Sequence, residues 1–201
     1  MVDSGKRGEA TYQDVLDAPE HMTAEIIDGE LVLSPRPANP HGISMTYLGA
    51  ELVPPFSRGR GGPGGWIIMY EPEIHFGKNV LIPDMAGWRR ERMEIVEEAP
   101  FFTLRPDWVC EGLSKSTVRI DRLKKMPLYA EAGVGHCWLL NERSRNLEVY
   151  RLIDRRLELV RMFEESETFR AEPFEAIELR LADLFVDLPT RAGESYVEYG
   201  R

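Results

Sequence analysis

Apolar positions recur either every second residue or at helical spacing, and proline and glycine mark where one pattern gives way to the other. TYQDVLDAPE predicts a short helix that ends before Pro19. EIIDGELVLSP holds two β-prone runs hinged on Asp28-Gly29. Both central positions of a two-residue hairpin turn favour positive φ, which suits an Asp-Gly pair, so residues 24–34 are expected to form a hairpin. Between His41 and Phe56, Ile43, Tyr47, Leu48 and Leu52 form a helical stripe bracketed by Pro40 and Pro54-Pro55. SRGRGGPGG, from Ser57 to Gly65, carries too much glycine for regular structure and predicts a mobile connector, with two arginines that either contact phosphate or face solvent.

GWIIMYEPEIHF and VLIPDMAGWRR, separated by Gly77-Lys78-Asn79, read as a second hairpin of longer strands. PDWVCEGL, apolar up to Glu111, predicts a central strand. A helix from about Thr117 to Ala132 stops at Gly133, and HCWLLNE, NLEVYRL and LELVRMF follow as strands before a short segment AIELRLADLF. The strand, helix, strand order in the middle implies a parallel crossover. The expected fold class is α/β or α+β, with a single mixed central sheet flanked by helices. Its expected organisation is a polar N-terminal segment 1–11, one domain over 12–188, and a loose tail 189–201.

Composition supports a folded chain of one domain: 201 residues, 43% hydrophobic and 29% charged. The net charge of −9 disfavours a protein devoted to non-specific phosphate binding. That charge is segregated, because residues 102–161 hold 12 Lys and Arg against 8 Asp and Glu, leaving 13 against 26 elsewhere. Cys110 and Cys137 lie in apolar runs without metal or disulfide spacing, which points to buried thiols in a reducing cytoplasm. No segment has the roughly 18 consecutive apolar residues of a membrane span.

Candidate chemistry comes from carboxylates that interrupt apolar strands. Asp84 follows Pro83 inside VLIPDMAGW, and Glu111 ends WVCEG. A carboxylate buried without a partner is costly, so such groups are paired, hydrogen-bonded or metal-bound. Two on neighbouring strands would make an oxygen-rich cation site suited to Mg²⁺. The plainer alternative is a turn cap at Asp84 and a strand-end ion pair at Glu111. Downstream, Asp121, Lys125 and Tyr129 fall on one helical stripe among Lys115, Arg119, Arg122 and Lys124. Either this is a solvated charged face, or Lys125 reaches over the sheet edge toward Asp84 and Glu111.

The order EIIDGELVLSP, PHGIS opening a helix, a strand with PD, PDWVCEGLSKST and DRLKKMPLYAEAGVGHCWLLN resembles the Uma-two family of restriction-type endonucleases, within the PD-(D/E)xK nuclease superfamily, over roughly residues 12–187. The resemblance implies a restriction-endonuclease-like fold and a Mg²⁺-dependent (or Mn²⁺-dependent) phosphodiester-cleaving centre acting on nucleic acid, DNA foremost. Nucleases of this fold often pair, so a homodimer is the expectation, and the cysteines in apolar runs and an N-terminus MVDSGKRGEA without an apolar signal core point to the cytoplasm. Asp84 matches the family's PD aspartate and Glu111 the glutamate of its E-x-L-S segment. Leu113 stands where other nucleases of the superfamily carry lysine, and Lys125 matches the lysine of a D-x-x-x-K-x-x-x-Y pattern whose flanks are Asp121 and Tyr129. In this assignment Asp84, Glu111 and the Gly112 carbonyl ligate the metal, and Lys125 orients or helps deprotonate the attacking water.

Glu30 and His41 are accessory candidates because the family often has Glu and His there. Glu71 and Glu73 share a strand face by period two and either join the cluster or face solvent. Gly112 and Lys115 stand where Val and Pro are commoner, and Pro127 is expected to kink the helix two residues after Lys125. Pro127 and Gly112 suit a second reading, in which the fold is kept as a binding or assembly module without turnover.

Overall fold

A computed structural model describes residues 9–36, 38–96 and 98–187; most of the expected N-terminal segment and all of the expected tail 189–201 lie outside the described residues. Helix α1 (Tyr12–Leu16) opens where the Thr11 N–H donates to the Asp14 carboxylate, 2.7 Å away. Strands β1 (Met22–Ile27) and β2 (Glu30–Pro35) form the expected hairpin, with φ of 51° at Asp28 and 78° at Gly29.

Helix α2 (Asn39–Leu52) continues into a π-helical turn over Val53–Ser57, so the two prolines lie inside the helical run. Its buried face consists of His41, Ser44, Met45, Leu48, Gly49 and Leu52. Ile43 and Tyr47 lie off that face, and Tyr47 is 41% exposed, so the expected stripe is rotated. The rotation follows from Gly49: a Cβ there would sit 1.8 Å from the Tyr70 hydroxyl, which donates to the Met45 carbonyl. The glycine connector is irregular but tied down. Arg60 and Gly64 donate backbone N–H groups to the carbonyls of Pro54 and Pro55, both at 2.9 Å, in place of the mobile segment expected.

The two long strands of the second hairpin are each broken in two. Strands β3 (Trp66–Tyr70) and β6 (Met85–Arg89) pair in one sheet, while β4 (Ile74–Phe76) and β5 (Asn79–Leu81) pair in another. The breaks fall at Pro72 and Pro83, which cannot donate to a ladder, and Glu71 absorbs one of them at φ 42°. Strand β7 (Trp108–Gly112) is central, parallel to β8 (His136–Asn141), which is followed by β9 (Asn146–Ile153) and β10 (Arg156–Glu164). The large sheet is mixed, as expected, and runs in the order β10-β9-β8-β7-β6-β3, but it is not the single sheet expected: the proline breaks send β4 and β5 to β1 and β2, which make a four-stranded antiparallel sheet, β2-β1-β5-β4, beside it. A short pair, β11 (Thr168–Phe169) and β12 (Leu179–Arg180), follows, with a 3₁₀ turn at Leu181–Leu184.

The crossover from β7 to β8 is α3 (Val118–Ile120), a π-helical turn over Asp121–Lys125, and α4 (Met126–Ala132), ended by Gly133 at φ 82°. Pro127 does not kink a continuous helix. It occupies the first turn of α4, where a missing N–H costs little, and the wide turn before it absorbs the irregularity.

Alternation along β7 sends Trp108 and Cys110 to one face of the large sheet and Val109 and Glu111 to the other. The first face packs Trp66, Trp108, Trp138 and Phe174 under α2. Trp138 meets Trp108 edge to face at 5.5 Å and donates its indole N–H to the Glu172 carbonyl at 2.7 Å. Trp138→Ala is therefore expected to cost about 3–5 kcal/mol in urea unfolding. The second face packs Val109, Leu139 and Tyr129 against the smaller sheet through Ile27, Ile74 and Leu81, and it is the face that carries Glu111.

Candidate active site

The two proline breaks open a gap where the sheets part, and Asp84 sits in it, one residue before β6. The Asp84 carboxylate is fixed at both oxygens: Oδ1 lies 2.8 Å from His41 Nε2, and Oδ2 accepts the Gly112 N–H at 2.7 Å. Glu111, 2% exposed on β7, takes the Tyr129 hydroxyl at 2.5 Å and the Lys125 ammonium at 2.9 Å on Oε1. The same ammonium is 3.0 Å from Glu25 Oε1 and donates to the Ile82 carbonyl at 3.3 Å. Asp121 and Lys125 are buried, at 4% and 3% exposure, so their stripe is not a solvated face. The π-helical turn brings Lys125 inward, and its reach survives Pro127.

These groups line one cavity of about 290 Å³, with room for an ion and several waters. Its wall holds Glu25, Glu71, Asp84, Glu111, Asp121 and Glu142 against Lys125 and Arg36. Burial pushes Glu111 up to about 8 against the pull of Lys125, with Asp121, Asp84 and Glu25 adding to the rise. Burial likewise lifts Asp121 to about 6. Burial opposes charge on Lys125, but Glu111, Glu25 and Asp121 outweigh it and hold the ammonium charged. Burial also works against a charged His41, yet the Asp84 hydrogen bond, with Glu142 and Glu111 behind it, raises it above its ordinary range.

This surplus of carboxylate over cation is what a divalent ion would relieve, and Asp121 Oδ2 is buried without a hydrogen-bond partner among the described residues. No cluster of three or more His, Cys, Asp or Glu side chains is arranged to hold a metal among the described residues. An ion here would draw on the two carboxylates of Asp84 and Glu111 and complete its shell with water and phosphate oxygen, which suits Mg²⁺.

The remaining expectations divide. Asp121 lines the cavity, and Tyr129 and His41 bond the two central carboxylates. Glu71 joins the rim, whereas Glu73 pairs with His75 at 2.7 Å. Glu30 lies on the surface, 2.7 Å from Lys124 and away from the cavity. Gly112 contributes its N–H, as the anchor of Asp84. A Cβ at 112 would stand 2.5 Å from His41 Cε1, so glycine makes room for the imidazole. Gly112→Ala is expected to displace His41 and to cost about 1–3 kcal/mol in urea unfolding.

Sequence reading overlooked Glu25 and Glu142. Glu25 interrupts the apolar strand MTAEII as Asp84 and Glu111 interrupt theirs, and it accepts the Ile82 N–H at 2.7 Å beside Lys125. Glu142 ends HCWLLNE, and its Oε1 lies 3.3 Å from His41 Nδ1.

The Uma2 family model, described as "Putative restriction endonuclease", matches residues 10–182. No curated protein matches the chain. Five chains of solved structure match. One is the crystal structure of "a putative nuclease belonging to DUF820" from Anabaena variabilis, 22% identical, with a TM-score of 0.70 over 88% of this chain and 97% of that one. At that identity the likeness shows a shared fold.

Proposed function

The chain belongs to the Uma2 family of restriction-endonuclease type, and from that premise we propose that it is a Mg²⁺-dependent endonuclease hydrolysing phosphodiester bonds, with DNA as substrate. The observation that carries the proposal is the buried Lys125 ammonium, 2.9 Å from Glu111 in the cavity that also holds the doubly anchored Asp84.

Asp84 and Glu111 would hold the ion. When bound, Mg²⁺ supplies a Lewis acid that polarises the scissile phosphate and lowers the pKa of a water. The protein's own groups do the rest. Gly112 and His41 fix the Asp84 carboxylate, so its orientation needs no rearrangement as substrate arrives. Lys125, positioned by Glu25 and Glu111, places a permanent positive charge where negative charge develops on the phosphate, and giving up its long contact to the Ile82 carbonyl would free one N–H to orient the attacking water. Tyr129 holds Glu111 in the rotamer that faces the cavity.

The features that suited a module without turnover are both accommodated: Pro127 begins α4 without moving Lys125 outward, and Gly112 admits His41. The test is incubation of supercoiled plasmid with the protein and Mg²⁺ or Mn²⁺. Nicking that requires the metal and stops in EDTA supports the proposal, and intact DNA under all metal conditions rejects it.

A further inference from the structure

A second cavity, about 720 Å³, opens beside the first, and Glu142 lines both. Its walls are apolar where Pro40, Phe185 and Val186 meet, with Arg145 stacked over the Phe185 ring at 5.0 Å. Lys115 and Arg143 stand at its rim, both exposed. Neither side chain makes an ion pair or hydrogen bond among the described residues, unlike Arg122 and Lys124 nearby, which pair with Glu148 and Glu30. Glu142, the acidic member of the wall, sits 3.3 Å from His41 on the side of the first cavity.

We propose that this cavity receives the unstacked base of a nucleotide next to the scissile phosphate, with Lys115 and Arg143 on the flanking phosphates, so that the preferred substrate is single-stranded or locally unpaired. The inference rests on the nuclease reading of the neighbouring cavity. A duplex backbone is met by a shallow basic surface and offers no exposed base face. A partly apolar recess with two cations at its rim that are unpaired among the described residues matches instead an unpaired nucleotide, which presents a π face and a phosphate together. The volume lies in the range of pockets that enclose a ligand of this size. The shared wall at Glu142 sets the recess next to the cavity that holds the carboxylate pair.

The experiment measures binding apart from cleavage. Fluorescence anisotropy of a labelled oligonucleotide in EDTA, single-stranded or annealed to its complement, is expected to show the single strand bound about tenfold more tightly. Lys115→Ala combined with Arg143→Ala should weaken single-strand binding about tenfold and flatten its salt dependence by about one to two phosphate contacts. Val186→Trp, which adds bulk inside the recess without removing a charge, should abolish the single-strand preference while leaving the melting temperature unchanged. Equal affinity for duplex and single strand, or a salt dependence unaltered in the double variant, overturns the proposal. Metal-dependent nicking with no strand preference rejects the recess alone, whereas a retained preference without cleavage of any nucleic acid rejects the catalytic reading alone.

Discussion

Asp84→Asn and Glu111→Gln are each expected to reduce Mg²⁺-dependent plasmid nicking by at least about 10³-fold, because each removes one of the two anionic groups through which the site would hold a divalent ion. Both replacements nearly preserve volume. In Asp84→Asn the amide carbonyl oxygen can still accept the Gly112 N–H, and in Glu111→Gln the amide oxygen can still accept from Tyr129, so circular dichroism should be unchanged. Glu30→Gln is the matched control, since Glu30 pairs with Lys124 on the surface and should leave nicking unaltered. Cleavage that persists in both site variants would place the chemistry elsewhere.

Lys125→Met carries an expected cost in stability as large as that of Trp138→Ala. Its ammonium is the buried cation shared by Glu111 and Glu25, at 2.9 and 3.0 Å, and removing it leaves two buried carboxylates uncompensated. Breaking such an arrangement costs about 3–5 kcal/mol. The deficit has a sign in pH. Without Lys125, burial acts unopposed on Glu111, whose carboxyl already lies at about 8 in the intact cluster. A carboxyl raised above its unfolded value contributes stability at low pH that is lost as pH rises toward the folded value. Urea unfolding of Lys125→Met should therefore show a smaller deficit at pH 6 than at pH 9, because between those values Glu111 ionises in the intact cluster and stays protonated without the ammonium. An equal deficit at both would mean that Lys125 acts through packing alone.

Local chemistry made much of this protein legible in its sequence. Asp28-Gly29 announced the β1–β2 turn, the apolar run to Glu111 announced a central strand, and Gly133 announced the helix end, because each depends on neighbours in the chain. Asp84 and Glu111 stood out for a similar reason, since charges inside apolar runs must be answered by something, whereas Lys125 stood out through its helical stripe and the family resemblance; all three line one cavity. The misjudged parts depend on tertiary context. GWIIMYEPEIHF looked like one strand, because periodicity registers alternation but not which sheet each half joins; Pro72 was the overlooked signal. Glu25 was missed because its role exists only once the smaller sheet closes over Lys125. Charge segregation was real in sequence but partly cancelled in space, since Arg122 and Lys124 are paired while, among the described residues, Lys115 and Arg143 are not. Those two cations stand at the recess beside the carboxylate-lined cavity, a local feature compatible with an acidic whole.

If Asp84 and Glu111 share one divalent ion beside the Lys125 ammonium, anomalous diffraction from crystals soaked in Mn²⁺ should show one strong peak bonded to a carboxylate oxygen of each residue and absent from crystals of Glu111→Gln. A cavity without anomalous signal at saturating Mn²⁺, or an ion bound away from these two carboxylates, would rule the shared ion out.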